Sequence, residues 1–132
     1  MSSKIKAISA YRPRIELGNT VQKAELIRVF ARATNLNESG ADAVIKELRD
    51  LIIQFNREGR AVKIEGLGTF TPNIGLDGAF DLQYRADSAL VNGLNDAGTF
   101  TGTIVNRENI GKTSAELAAL WNTAHPEDPI TD

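Results

Sequence analysis

Several residue types that carry chemistry are scarce in this chain. It has no cysteine and a single histidine, His125, so disulfides and cysteine or histidine metal clusters are excluded. A Ser-His-Asp triad would depend on that one histidine, which sits beside Pro126 near the C-terminus. No apolar run approaches the roughly 20 residues that a membrane helix needs, and no signal-peptide core follows Lys4 and Lys6. We therefore expect no enzyme, no cofactor, no metal, no small-molecule substrate and no membrane contact.

Charge is balanced overall but unevenly distributed along the chain. The formal net charge is −2. Residues 1–60 hold 11 Lys and Arg against 7 Asp and Glu, whereas residues 61–132 hold 4 against 10. This asymmetry allows a basic surface built from the N-terminal half, although the overall acidity is unusual for a protein that binds nucleic acid.

Two amphipathic helices are predicted in the first half. Residues 22–35 place Ile27, Phe30 and Ala31 on one face, with Thr20 or Gln22 as the N-cap. Residues 39–58 give the clearest helical pattern of the chain, with Asn37 or Ser39 as the N-cap. Gly59 is the natural residue to end that helix. The apolar faces of these helices are extensive for so short a chain, which favours an obligate dimer.

A glycine-containing hairpin and a further strand are predicted next. Val62 and Ile64 alternate with charged neighbours, and Gly66-Leu67-Gly68 gives the backbone freedom for a reversal. Thr69-Phe70-Thr71 begins the return strand, and a loop follows around residues 75–78. The segment from Phe80 to Arg85 alternates apolar and polar residues, as a half-buried strand does. The spacing Gly66-x-Gly68 is explained by a hairpin turn rather than by a dinucleotide fingerprint.

The two ends of the chain have weaker patterns. Residues 4–11 alternate and predict a strand that ends at Pro13. Residues 99–105 predict one further strand, and Thr113-Ser114-Ala115-Glu116 is a capping box that opens a short helix. Lys112-Thr113 could also suggest a phosphate-binding loop, but Asn106 stands where such a loop needs its first glycine. We therefore assign Lys112-Thr113 to the start of the helix. Residues 129–132 are predicted to be a loose tail.

The order of two helices and a glycine hairpin resembles the HU and integration host factor family. The resemblance rests on Lys23-Ala24-Glu25-Leu26-Ile27 and on Glu58-Gly59-Arg60-Ala61-Val62-Lys63-Ile64-Glu65-Gly66-Leu67-Gly68-Thr69-Phe70, and it covers roughly residues 20–94. Leu67 replaces the usual aromatic residue between the glycines. The extended N- and C-terminal segments are similar to HU-like proteins of the Bacteroidetes type. The resemblance implies an α+β, HU-like fold in an intertwined homodimer, located in the cytoplasmic nucleoid.

The family resemblance also implies that DNA is bound through phosphates and shape. In that family, long basic β-arms bend the duplex from its minor groove, often with a proline wedge at each tip. Here only nine residues separate Phe70 from Phe80, and they include one Asp and no Lys or Arg. Pro72 follows the glycine turn too closely for an arm tip. We therefore expect the arm to be shortened or missing.

We divide the chain into an HU-like domain with an extra N-terminal strand, residues 1–95, and a C-terminal appendage, residues 96–132. The expected function is architectural, nucleoid-associated DNA binding with low sequence specificity. The alternative is a dimeric scaffold or protein-interaction module, derived from HU, that has lost DNA binding. Candidate phosphate contacts are basic residues in or beside extended segments: Lys4, Lys6, Arg12, Arg14, Arg60, Lys63 and Arg85.

Overall fold

A computed structural model describes residues 2–131, which form two compact units. The central unit spans residues 21–100, and the terminal unit combines the residues before 21 with those after 100. The sequence pattern groups the first twenty residues with the HU-like domain, whereas the structure groups them with the C-terminal segment. In chain order the elements are α1 Lys4–Tyr11, β1 Arg14–Glu16, α2 Lys23–Thr34, α3 Glu38–Arg57, β2 Val62–Ile64, β3 Gly68–Ile74, β4 Phe80–Ala86, α4 Ser88–Asn95, β5 Thr103–Val105, a 3-10 helix Arg107–Asn109, and α5 Ser114–Ala124.

Helices α2 and α3 confirm the two amphipathic helices predicted from the sequence. Gln22 occupies the N-cap position of α2 without a side-chain cap hydrogen bond. Asn37 caps α3 by accepting a hydrogen bond of 2.6 Å from the backbone N–H of Gly40. Gly59 follows α3 with a φ of 76°, a left-handed conformation that glycine adopts without strain. The two helices pack on each other through a small core of Ile27, Ala31 and Ala41.

The central unit continues into a three-stranded antiparallel sheet in the order β2-β3-β4. Leu67 N–H donates to Ile64 O at 3.0 Å and closes the predicted glycine turn between β2 and β3. Gly68 has a φ of 150°, and a Cβ added there would lie 2.5 Å from the carbonyl oxygen of Arg85. Glycine is therefore required where β3 approaches β4, as the close backbone pairing predicts.

Helix α4 was not predicted. Asp87 caps it by accepting a hydrogen bond of 2.9 Å from the N–H of Ala89. The sequence signal was present, because Asp87 precedes apolar residues at Leu90, Val91 and Leu94, which recur at helical spacing. All three apolar side chains are exposed in the single chain.

The prediction of a strand over residues 4–11 is wrong, because this segment is helix α1. Ser3 caps it by accepting from the N–H of Lys6 at 3.4 Å, and Ala7 is completely buried where α1 packs on α5. Ile5, which the alternating pattern placed on one strand face, is 74% exposed. A segment this short can fit both the helical period of 3.6 residues and the strand period of two, and packing against α5 decides between helix and strand. The strand forms only after Pro13, where β1 pairs with β5.

The C-terminal region is helical as predicted, but its tail is not loose. Thr113 caps α5 by accepting from the N–H of Glu116 at 3.2 Å. The indole N–H of Trp121 donates to Asp128 O at 2.7 Å, and His125 stacks on the same indole at 3.8 Å. The N–H of Thr131 donates to Ser2 O at 3.1 Å. The prediction of a free tail is therefore wrong for residues 129–131, because their backbone bonds to the N-terminal segment and to α5.

Candidate nucleic-acid interface

The two faces of the central sheet differ in polarity. Antiparallel register places Lys63, Thr69 and Arg85 directly opposite one another across β2, β3 and β4. Successive side chains of a strand point to opposite faces, so these three residues share one face. Both cations are exposed. The register therefore forms a row of two cations separated by one threonine, and both cations are available to contact phosphates.

The polar face continues toward the hairpin end without further cations. Thr71 pairs with Gln83, and Asn73 pairs with Asp81. The strands end at Ile74 and Phe80, and the N–H of Gly75 donates to Ala79 O at 2.9 Å to close the turn. The hairpin thus stops after seven paired positions, in agreement with the short arm expected from the sequence. The positive charge lies at the base of the hairpin.

Lys63, at the β2 end of the row, has acidic neighbours. Lys63, Glu65, Asp87 and Ser88 line one shallow polar depression. Hydrogen bonds from the N–H of Ala89 and then of Gly66 lower the pKa of Asp87, and the Lys63 charge lowers it further. Asp87 therefore stays ionised at neutral pH and offsets part of the positive potential of Lys63.

Arg60 lies between α3 and β2. Its guanidinium is 5.0 Å from the centre of the Phe55 ring, and Nη1 is 3.5 Å from Glu58 Oε1. Both members of the ion pair are at least half exposed. An exposed pair of this length contributes about 0–1 kcal/mol. The pair with Glu58 therefore competes only weakly with a phosphate for the Arg60 guanidinium.

The remaining predicted cations belong to the terminal unit. Lys6 lies 3.8 Å from Asp128 and 5.2 Å from the centre of the Trp121 ring, so it has structural partners already. Lys4 is on the same helix, whereas Arg12 and Arg14 follow it. The seven candidates are thus divided between the two units, with Arg60, Lys63 and Arg85 in the central one.

Two asparagines, Asn106 and Asn109, hold the end of α1 in the terminal unit. The side-chain amide of Asn106 donates to Ala10 O at 3.0 Å and to Arg12 O at 3.1 Å. The amide of Asn109 donates to Tyr11 O at 2.7 Å, and its residue is only 4% exposed. Three consecutive carbonyls therefore receive side-chain donors in place of the helical partners they lack. The sequence did not identify either asparagine, because nothing local relates them to residues about a hundred positions earlier.

The apolar sheet face carries large side chains that the single chain leaves open. An open groove of about 950 Å³ runs between the end of α3 and the outer hairpin. Ile53, Pro72, Ile74, Phe80 and Leu82 supply its apolar lining. Phe80 is 83% exposed. An apolar surface of this kind is typical of an interface with another protein chain.

Residues 2–131 contain neither a metal-binding cluster nor a helix that could span a membrane. No group of three or more His, Asp or Glu side chains in that range could hold a metal ion. None of the helices described there is both long and apolar enough to cross a membrane.

The family model described as bacterial DNA-binding protein matches residues 21–75. The match begins before α2, includes α3 and β2, and ends after β3. No curated protein matches the chain. Together with the helix pair and the glycine hairpin, this match shows that residues 21–75 are similar to bacterial DNA-binding proteins of the HU type. Strand β4, helix α4 and the terminal unit lie outside the matched segment.

Proposed function

We propose that the protein is an architectural DNA-binding protein of the bacterial nucleoid that contacts the phosphate backbone with low sequence specificity. The single observation that carries this proposal is the row of Lys63, Thr69 and Arg85 on the polar sheet face of an HU-like unit. Contacts of lysine and arginine with phosphates carry no sequence information, so a row that binds the backbone provides affinity but little sequence discrimination. Arg60 is a further candidate contact. The action is non-catalytic and needs no cofactor.

The working form is a homodimer. Support comes from the apolar surface that the helices and the sheet leave exposed in one chain. On α2 and α3, Val29 and Val44 are about half exposed, and Phe80 and Leu82 extend the apolar surface onto the sheet. A second copy that covered these faces would bury apolar area, and each square ångström contributes about 25 cal/mol. Two copies of the row would then serve one duplex.

Binding of unrelated duplexes tests the proposal. Fluorescence anisotropy with two labelled duplexes of equal length and different base composition should give similar affinities. Both affinities should fall steeply with salt, because phosphate contacts release counterions. A strong preference for one sequence would contradict low specificity. Arg28→Gln removes one exposed cation on α2, outside the row. It serves as the control for the loss of a positive charge and should bind like the wild type.

A second candidate function is an HU-derived scaffold that has lost DNA binding. The charge of the central unit favours it, since residues 21–100 contain 9 Lys and Arg against 11 Asp and Glu. Asp81 is on the same sheet face as the row, and Asp87 lines one depression with Lys63. This scaffold predicts a stable dimer with no complex on any duplex at low salt. Deleting residues 96–132 is a poor test, because α1 would be separated from α5, the helix on which it packs.

A further inference from the structure

We propose that the terminal unit has its own DNA-binding surface, formed by Arg12, Arg14, Arg107 and Lys112 around the end of α1. We call it the terminal basic surface. Its ligand is the phosphate backbone of duplex DNA, and in this respect it rests on the proposed function. It is formed by other elements than the sheet row and has a local excess of positive charge. Two of its residues, Arg107 and Lys112, were not among the DNA contacts predicted from the sequence.

Backbone contacts bring the four cations together from the two ends of the chain. Arg14 pairs with Val105 across the β1–β5 ladder, two residues before Arg107. Arg107 directly follows Asn106, whose amide donates to Arg12 O at 3.1 Å. Lys112 N–H donates to Asn109 O at 3.1 Å, and Asn109 in turn bonds to Tyr11 O. Arg12, Arg14 and Arg107 therefore lie within two residues of a contact between the N-terminal and C-terminal segments. Lys112 is linked to such a contact by its backbone hydrogen bond to Asn109.

The backbone beneath this surface is fixed. Asn106 adopts a left-handed conformation with a φ of 59°, which lets its side chain bond two carbonyls of the same turn. The end of a helix carries partial negative charge on its last carbonyls. At α1 the amides of Asn106 and Asn109 bond three of these oxygens, so the nearby cations face a smaller local negative potential. A prearranged backbone also lowers the ordering cost of binding.

The local charge is positive, unlike that of the central unit. Residues 10–16 and 103–112 contain four cations and two acids, Glu16 and Glu108. All four cations are exposed. In the described part of the chain, their side chains have no carboxylate partner within 4.0 Å, whereas Lys6, Lys23 and Lys46 have one. Four exposed cations without ion-pair partners are available to neutralise phosphates, each of which releases counterions on binding.

Salt-dependent binding of full-length variants tests the terminal basic surface. The variant R12Q/R14Q/R107Q removes three cations and is compared with the wild type on one duplex by fluorescence anisotropy. The slope of log K against log salt should become shallower by about 0.9 for each phosphate that is no longer neutralised, hence by about 2–3. The control E16Q/E108Q removes the two acids of the same surface and should raise the affinity. Unfolding curves of both variants should match the wild type, because none of the five replaced side chains is buried.

The outcomes separate this surface from the proposed function of the sheet row. An unchanged slope for R12Q/R14Q/R107Q, with K63Q/R85Q weakened, overturns the terminal basic surface and leaves the proposed function standing. A wild type that binds no duplex at low salt overturns both. Tighter binding to an RNA duplex of equal length than to DNA contradicts the ligand proposed for this surface. If R12Q/R14Q/R107Q is destabilised, the single variant K112Q replaces it and should lower the slope by about 0.9.

Discussion

The side-chain amide of Asn109 donates a hydrogen bond of 2.7 Å to the carbonyl oxygen of Tyr11, which lies 98 positions earlier in the chain. This bond joins the 3-10 helix to the end of α1 and is buried on the Asn109 side. Loss of this donor would leave the partly buried Tyr11 carbonyl unpaired, which costs about 1–3 kcal/mol. The hydrogen bond therefore ties the two halves of the terminal unit together.

Asn109→Ala is accordingly expected to destabilise the terminal unit by about 1–3 kcal/mol. Equilibrium urea unfolding, together with amide exchange of α1 and α5, measures the effect. Gln54→Ala, at an exposed position of α3, is the control and should stay within about 0.5 kcal/mol of the wild type. Equal stability of the two variants would show that the Asn109 bond does not hold the unit.

Gly68→Ala is expected to disrupt the hairpin at its base. Its Cβ would lie 2.5 Å from Arg85 O and 2.6 Å from the Tyr84 ring, at a φ of 150°. Such backbone strain costs about 1–3 kcal/mol, and the strand must shift in addition. The control is Gly18→Ala, where an added Cβ has no neighbour within 4 Å. Urea unfolding should show a clear decrease in stability for the first variant only, and a G68A protein as stable as G18A would contradict the β3–β4 register.

Stability should depend on pH through Asp42. Hydrogen bonds from Lys23 and then Lys46 hold the pKa of this carboxyl below its ordinary 3.8. A depressed pKa in the folded state adds stability above the unfolded value, and this stability is lost as the pH falls through the folded value. The stability difference between wild type and Asp42→Asn should therefore be largest at neutral pH and shrink well below pH 3.8. A difference that stays constant over this range would exclude the carboxylate charge as its source.

Leu48→Glu is expected to weaken the dimer. Leu48 lies on the apolar stripe of α3 and is 38% exposed in the single chain, so a charge there would be buried without a partner in an interface. Analytical ultracentrifugation over a concentration series should show the variant dissociating at concentrations where the wild type is dimeric. Glu47→Gln, on the neighbouring polar position, should leave the association unchanged. A wild type that remains monomeric would contradict the homodimer itself.

The elements that the sequence predicted correctly are those whose periodic patterns are long or whose turn chemistry is specific. Helices α2 and α3 repeat their apolar residues at helical spacing over three or more turns, and the glycines fix the hairpin. Residues 4–11 were assigned to the wrong class because eight residues do not separate the two periods, and burial of Ala7 against α5 decided the outcome. Propensity in so short a segment is overridden by tertiary packing.

The sequence could predict the residues of the two proposed DNA-binding surfaces only where a local pattern marks them. Alternation placed Lys63 and Arg85 on the polar faces of their strands, but the register that aligns them through Thr69 depends on long-range pairing. Arg107 carries no local signal at all. It lies near Arg12 because Asn106 bonds the end of α1, and these residues are more than ninety positions apart.

DNA binding through the sheet row is tested by the salt dependence of duplex binding for the wild type and for K63Q/R85Q. Log K should fall linearly with log salt for both proteins, and the variant should have a slope shallower by about 0.9 for each phosphate that the row no longer neutralises. Ultracentrifugation must show the same dimer for both proteins. An intact wild-type dimer that forms no complex at low salt, or a variant with an unchanged slope, would contradict DNA binding through the sheet row.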